Sequence, residues 1–226
     1  MTESASGPSE RISGARDAIR SPRAAAVAGI AFALIMAGAF VLIRLATGTG
    51  PGDDNWVSDD AKRGTVSFAV NLLPFAGIAF LWFVGVVRDR IGSREDRLFA
   101  TVFLGSGLLF VAMLFATGAV AGGLLLSGID PDVWSFGREV TFNLLLVYAM
   151  RMAAVFTLST TMLLTRLQLV PRWLALWGLV TAVILLFGAG RITWVEVTFP
   201  LWVLVISTHL LHVTYSRSHR ETGERT

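Results

Sequence analysis

Val140 to Leu164 reads VTFNLLLVYAMRMAAVFTLSTTMLL, an apolar run with a permanent charge, Arg151, near its middle. A helix of that length covers the ~30 Å hydrocarbon core of a bilayer. Arg151 would then lie roughly 18 Å of helix from either end, too deep for a snorkelling side chain to reach the headgroups. The rest of the chain reads as a bundle that has to accommodate this charge. Of the 226 residues, 54% are hydrophobic and only 15% charged, and the mean hydropathy is +0.65. Soluble domains carry about a quarter charged residues, so the composition points to a membrane chain.

Five further apolar runs give an all-α, polytopic membrane helix bundle with six transmembrane helices. They are predicted at about 24–47, 65–87, 98–127, 140–164, 173–190 and 195–215. Residues 1–23 are rich in Ser, Gly, Pro and Arg and have little to bury, so a disordered tail is expected there. Residues 216–226 form a second tail. The first apolar run exceeds the 7 to 15 residues of a signal peptide and reads as an uncleaved span.

Orientation follows from arginine. With the N-terminus inside, the inner segments carry Arg11, Arg16, Arg20, Arg23, Arg88, Arg90, Arg94, Arg97, Arg166, Arg172, Arg217, Arg220 and Arg225. The outer loops carry Lys62, Arg63, Arg138 and Arg191. Thirteen against four is a positive-inside asymmetry that places both termini in the cytoplasm and the protein in the cytoplasmic membrane. The acidic stretch GPGDDNWVSDD, residues 50–60, then falls outside. The pI of about 10.1 reports this orientation and contact with anionic lipid, not nucleic-acid binding.

Helices in lipid associate through close packing at small residues. The first run offers Ala25, Gly29, Ala33 and Ala37 at every fourth position, and the third offers Gly118 and Gly122. Gly178 with Ala182, and Ala149, Ala153, Thr157 and Thr161, make similar faces on the fifth and fourth. These stripes predict packing contacts within the bundle or against a second copy or another membrane protein.

A candidate binding site gathers the polar residues of the even-numbered runs. Arg151, Tyr148 and Asn143 lie on the fourth, Asn71 beside Pro74 on the second, and Glu196 with Pro200 on the sixth. Tyr148 and Arg151, three apart, share a face. Pro74 frees the carbonyl of Val70 beside Asn71, and Pro200 frees that of Glu196. No run has an Asp or Glu near its middle, so Arg151 must meet Glu196, backbone carbonyls and Asn71, water, or an anionic ligand.

Other chemistries find no residues. There is no cysteine, hence no disulfide, thiolate metal site or thiol nucleophile. His209, His212 and His219 gather at one end without a third ligand type nearby, so no metal site is expected. Neither His-Glu-x-x-His nor Gly-x-Ser-x-Gly occurs, and nothing asks for a cofactor. The expectation is a non-enzymatic protein acting through helix packing or partner contact. The alternative is a small permease or a lipid- or anion-binding protein centred on Arg151.

Two likenesses bear on this. Gly85, Asp89, Arg90, Gly92 and Arg94 resemble the G-x-x-x-D-R-x-G-x-R loop of the major facilitator transporters, which that family also carries between its second and third spans. More broadly, PFAGIAFLWFVGVVRDRIGSREDR at 74–97 and ATVFLGSGLLFVAM at 100–113 resemble a family of actinobacterial multi-pass membrane proteins. PRWLALWG at 171–178 and FPLWVLVIS at 199–207 extend that likeness. It implies a cytoplasmic-membrane location and supplies no functional residues.

Overall fold

A computed structural model describes residues 22–47, 59–91, 97–126 and 130–223. The tail at 1–21, most of the acidic stretch at 50–60 and the loop positions 92–96 lie outside the described residues. Every regular element among those described is helical. They are α1 (Pro22–Thr47), α2 (Asp60–Ile91), α3 (Arg97–Leu124), α4 (Pro131–Phe142), a π-helical segment (Asn143–Ala149), α5 (Met150–Arg166), α6 (Arg172–Gly188), a 3-10 turn (Val195–Val197) and α7 (Thr198–Gly223). Among the described residues five stretches are long and apolar enough to cross a membrane: Ala26–Thr47, Asp60–Arg88, Phe99–Leu124, Pro131–Arg166 and Val195–His212. The shorter α6 has 17 residues and, after Arg172, is apolar except for Thr181.

The ends of these helices have local causes. The helix through Arg151 begins at Pro131, well before Val140, because the Asp130 carboxylate accepts from the Asp132 N–H while Pro131 opens the first turn. It continues unbroken through the π segment into α5. At its far end Leu169 N–H bonds the Leu164 carbonyl and Gln168 N–H bonds that of Thr165, with Gln168 at φ 55°. That is a Schellman closure with glutamine where glycine is usual. At the other end of the chain α7 runs on to Gly223, past the expected stop at Tyr215. Pro200 falls in the first turn of α7, where no intrahelical donor is needed, so it starts the helix and does not kink it.

The helices close into a ring. α1 packs on α2 and α7, α2 on α3, α3 on α5, α5 on α6, and α6 on α7. Phe80 of α2 stands at the centre. Its ring lies 4.8 Å from Phe32 of α1, 4.9 Å from both Phe110 of α3 and Phe156 of α5, and 5.8 Å from Phe199 of α7. All five rings are buried. Most of these pairs are tilted or edge-to-face, the arrangement the ring quadrupole favours. The middle of the molecule is therefore filled with interlocked aromatic side chains.

Candidate functional site

Arg151 sits on the outside of the bundle. On α5 the buried residues are Met150, Ala153, Ala154, Phe156, Thr157, Thr160 and their neighbours one turn apart. Tyr148, Arg151, Leu158 and Met162 are exposed on the opposite face. Among the described residues Arg151 has no hydrogen bond and no ion pair. By helix rise it stands about 20 Å from both Arg138 and Arg166, at the middle of the Pro131–Arg166 stretch. The π segment ends two residues before it, at Ala149, and such segments recur at functional positions.

The expected pocket does not assemble. Glu196 is bound elsewhere: its Oε1 accepts from Arg44 Nε at 2.8 Å and lies 2.7 Å from Arg44 NH2. Glu196 is 2% exposed and Arg44 17%, so the pair is largely withdrawn from solvent and joins the last turn of α1 to the 3-10 turn before α7. Asn71 is exposed on α2, and its amide donates to the Ser67 carbonyl at 2.9 Å, not to the Val70 carbonyl that Pro74 leaves without a donor. Asn143 likewise donates back to Glu139 at 2.9 Å. Each amide finds an acceptor one turn earlier on its own helix, so neither needs a neighbour. No hydrogen bond or ion pair among the described residues joins Arg151, Asn71 and Glu196.

Arg44 is the residue the sequence reading passed over. It lies inside the first apolar run, near its end, and belongs to neither set of loop charges. The available signal was depth: an arginine in the last turn of one run and a glutamate in the first turn of another occupy the same level.

The small-residue positions divide into two sets. A Cβ added at Gly29 would overlap the Ser207 hydroxyl of α7 and stand 2.8 Å from Phe83 of α2. Ala33 is buried, Ala37 is half-buried, and the side chain of Ala25 lies outside those described. At Gly178 an added Cβ would overlap the Thr161 hydroxyl and stand 2.8 Å from Trp202 Nε1. The Thr161 and Ser207 hydroxyls and the Trp202 indole N–H are buried with no hydrogen-bond partner among the described residues. The two hydroxyl oxygens lie against glycine, whose Cα–H groups are weak donors to them, whereas the indole N–H, itself a donor, gains nothing from those groups.

Gly118 and Gly122 differ. Among the described residues nothing lies within 4 Å of a Cβ at either, so they seat none of the described helices. With Ser67, Asn71, Pro74 and Phe115 they line a recess of about 450 Å³ between α2 and α3.

Among the described residues no three His, Cys, Asp or Glu side chains come close enough to share a metal ion. The buried hydroxyls of Ser106, Thr117, Ser159 and Thr160 donate to carbonyls on their own helices. Fold and site together define an all-helical protein with several helices long and apolar enough to cross a membrane. No family model, curated protein or solved structure matches the chain.

Proposed function

We propose that the chain is a non-enzymatic, six-span protein of the cytoplasmic membrane, with both termini inside, that acts by lateral contact with other membrane helices. The carrying observation is where the polar groups point. Arg151, Tyr148, Asn71 and Asn143 face outward, while Phe80 and the four rings around it fill the interior. A permease needs a path or a pocket between its helices, lined by groups that replace water. An aromatic centre with a charge on the periphery suits a protein read from its outside. α6, at about 26 Å by helix rise, is long enough to serve as the sixth span. The arginine asymmetry of the loops supports the orientation.

The test is mass in native lipid. Extraction of the full chain from its membrane into polymer-bounded discs, followed by mass measurement, should give particles holding more than one polypeptide. Discs that contain the monomer alone at every polymer-to-membrane ratio would overturn lateral contact as the mode of action.

A further inference from the structure

The unpaired charge on α5 narrows what the partner has to be. We propose that Arg151, with Tyr148 one turn before it, docks a transmembrane helix of another membrane protein that carries an aspartate or glutamate near its midpoint. This rests on the lateral-contact reading above and adds the partner's chemistry.

A guanidinium cannot shed its proton, and an unpaired charge at the bilayer centre is expensive. Arg151 is exposed and has no partner among the described residues, and no described carboxylate stands at its level, so the anion proposed for it is one brought by another molecule. A second copy cannot bring it. In a parallel copy every residue keeps its depth, and the nearest acid on the same helix, Glu139, is about 18 Å away along the axis. No apolar run carries a carboxylate at its centre. A two-fold dimer through this face would also set Arg151 against its own image, a like-charge contact.

A lipid phosphate is at the wrong level. The headgroups begin about 15 Å from the bilayer centre, farther than an arginine stem extends. A carboxylate on a neighbouring helix can be at the right depth and accept two parallel N–H bonds. The exposed Leu158 and Met162, about two and three turns along from Arg151, give that helix an apolar seat, and the hydroxyl of the exposed Tyr148 can donate to the same acid.

The experiment uses the full chain in phosphatidylcholine vesicles, labelled with a donor fluorophore. The probes are acceptor-labelled synthetic polyleucine helices with a single central Asp or with leucine only. Energy transfer should show the Asp helix associating about tenfold more tightly than the leucine helix. Arg151→Leu should remove that preference, Arg151→Lys should keep part of it, and Arg151→Gln should lose it. Should Arg151→Leu fail to fold, the Lys and Gln variants decide.

Equal association of both probes, or a preference that survives Arg151→Leu, overturns the docking point. So does a preference abolished by phosphatidylglycerol in the vesicles, which would assign the charge to lipid phosphate. Discs holding several polypeptides together with any of these results would remove Arg151 as the contact and leave lateral association standing.

Discussion

Arg44 and Glu196 are 152 residues apart and meet at 2.7 Å, where neither is fully hydrated. Burying two charges costs desolvation that their attraction only partly repays, whereas removing one leaves the other stranded. Glu196→Leu should therefore lower stability by about 3 kcal/mol. Arg44→Met combined with Glu196→Leu should recover most of that loss. Denaturant unfolding of the four proteins in one detergent measures the cycle, and purely additive single changes would mean that the pair contributes no coupling. Arg151→Leu, by contrast, should leave the stability of the isolated chain unchanged or raise it, since its charge has no partner to lose among the described residues. Two arginines in apolar runs thus carry opposite roles, and only the position of the nearest acid separates them.

At the scale of the helix, glycine decides which faces can meet. Gly29 and Gly178 each lie under a hydroxyl of a neighbouring helix, so Gly29→Ala and Gly178→Ala should each cost about 1–3 kcal/mol through overpacking. Gly118→Ala and Gly122→Ala meet open space and should be neutral or stabilising by up to about 1 kcal/mol through helix propensity. Thermal midpoints of the four variants in detergent check the division, and a loss at Gly118 equal to that at Gly178 would contradict it. The sequence shows all four as members of small-residue stripes and cannot rank them. A stripe states that a helix can come close, and the presence of that helix depends on the whole arrangement. Thr157 and Thr161 were legible as one face of a helix. That Thr161 reaches Gly178, and Ser207 reaches Gly29, was not, because each contact joins helices whose rotation no local pattern fixes.

Over the whole molecule, the all-helical class and the presence of several long apolar helices could be read from hydropathy, while the inward faces could not. A helix in lipid is apolar on both sides, so the periodicity that marks the buried face of a soluble helix is faint. α2 shows the consequence: Phe75 is 62% exposed and Phe80 is fully buried at the centre, yet they look alike in sequence. The same ambiguity lets Arg151, Asn71 and Glu196 read as one site, whereas Arg151 and Asn71 are exposed and Glu196 pairs with Arg44. Phe80→Ala should cost about 3–5 kcal/mol, the usual loss for a buried phenyl that touches several rings. Phe75→Ala, which exchanges one apolar surface for lipid, should cost well under 1 kcal/mol.

The same centre governs permeability. Vesicles holding the full chain should lose an entrapped small ion no faster than protein-free vesicles. Phe80→Ala should not change that, because a void walled by Phe32, Phe110, Phe156 and Phe199 has no polar group to hold water, and apolar voids of this size stay dry. A leak that appears in the parent protein and closes with Arg151→Leu would place a conducting path along α5 and count against a molecule that works from its outer surface.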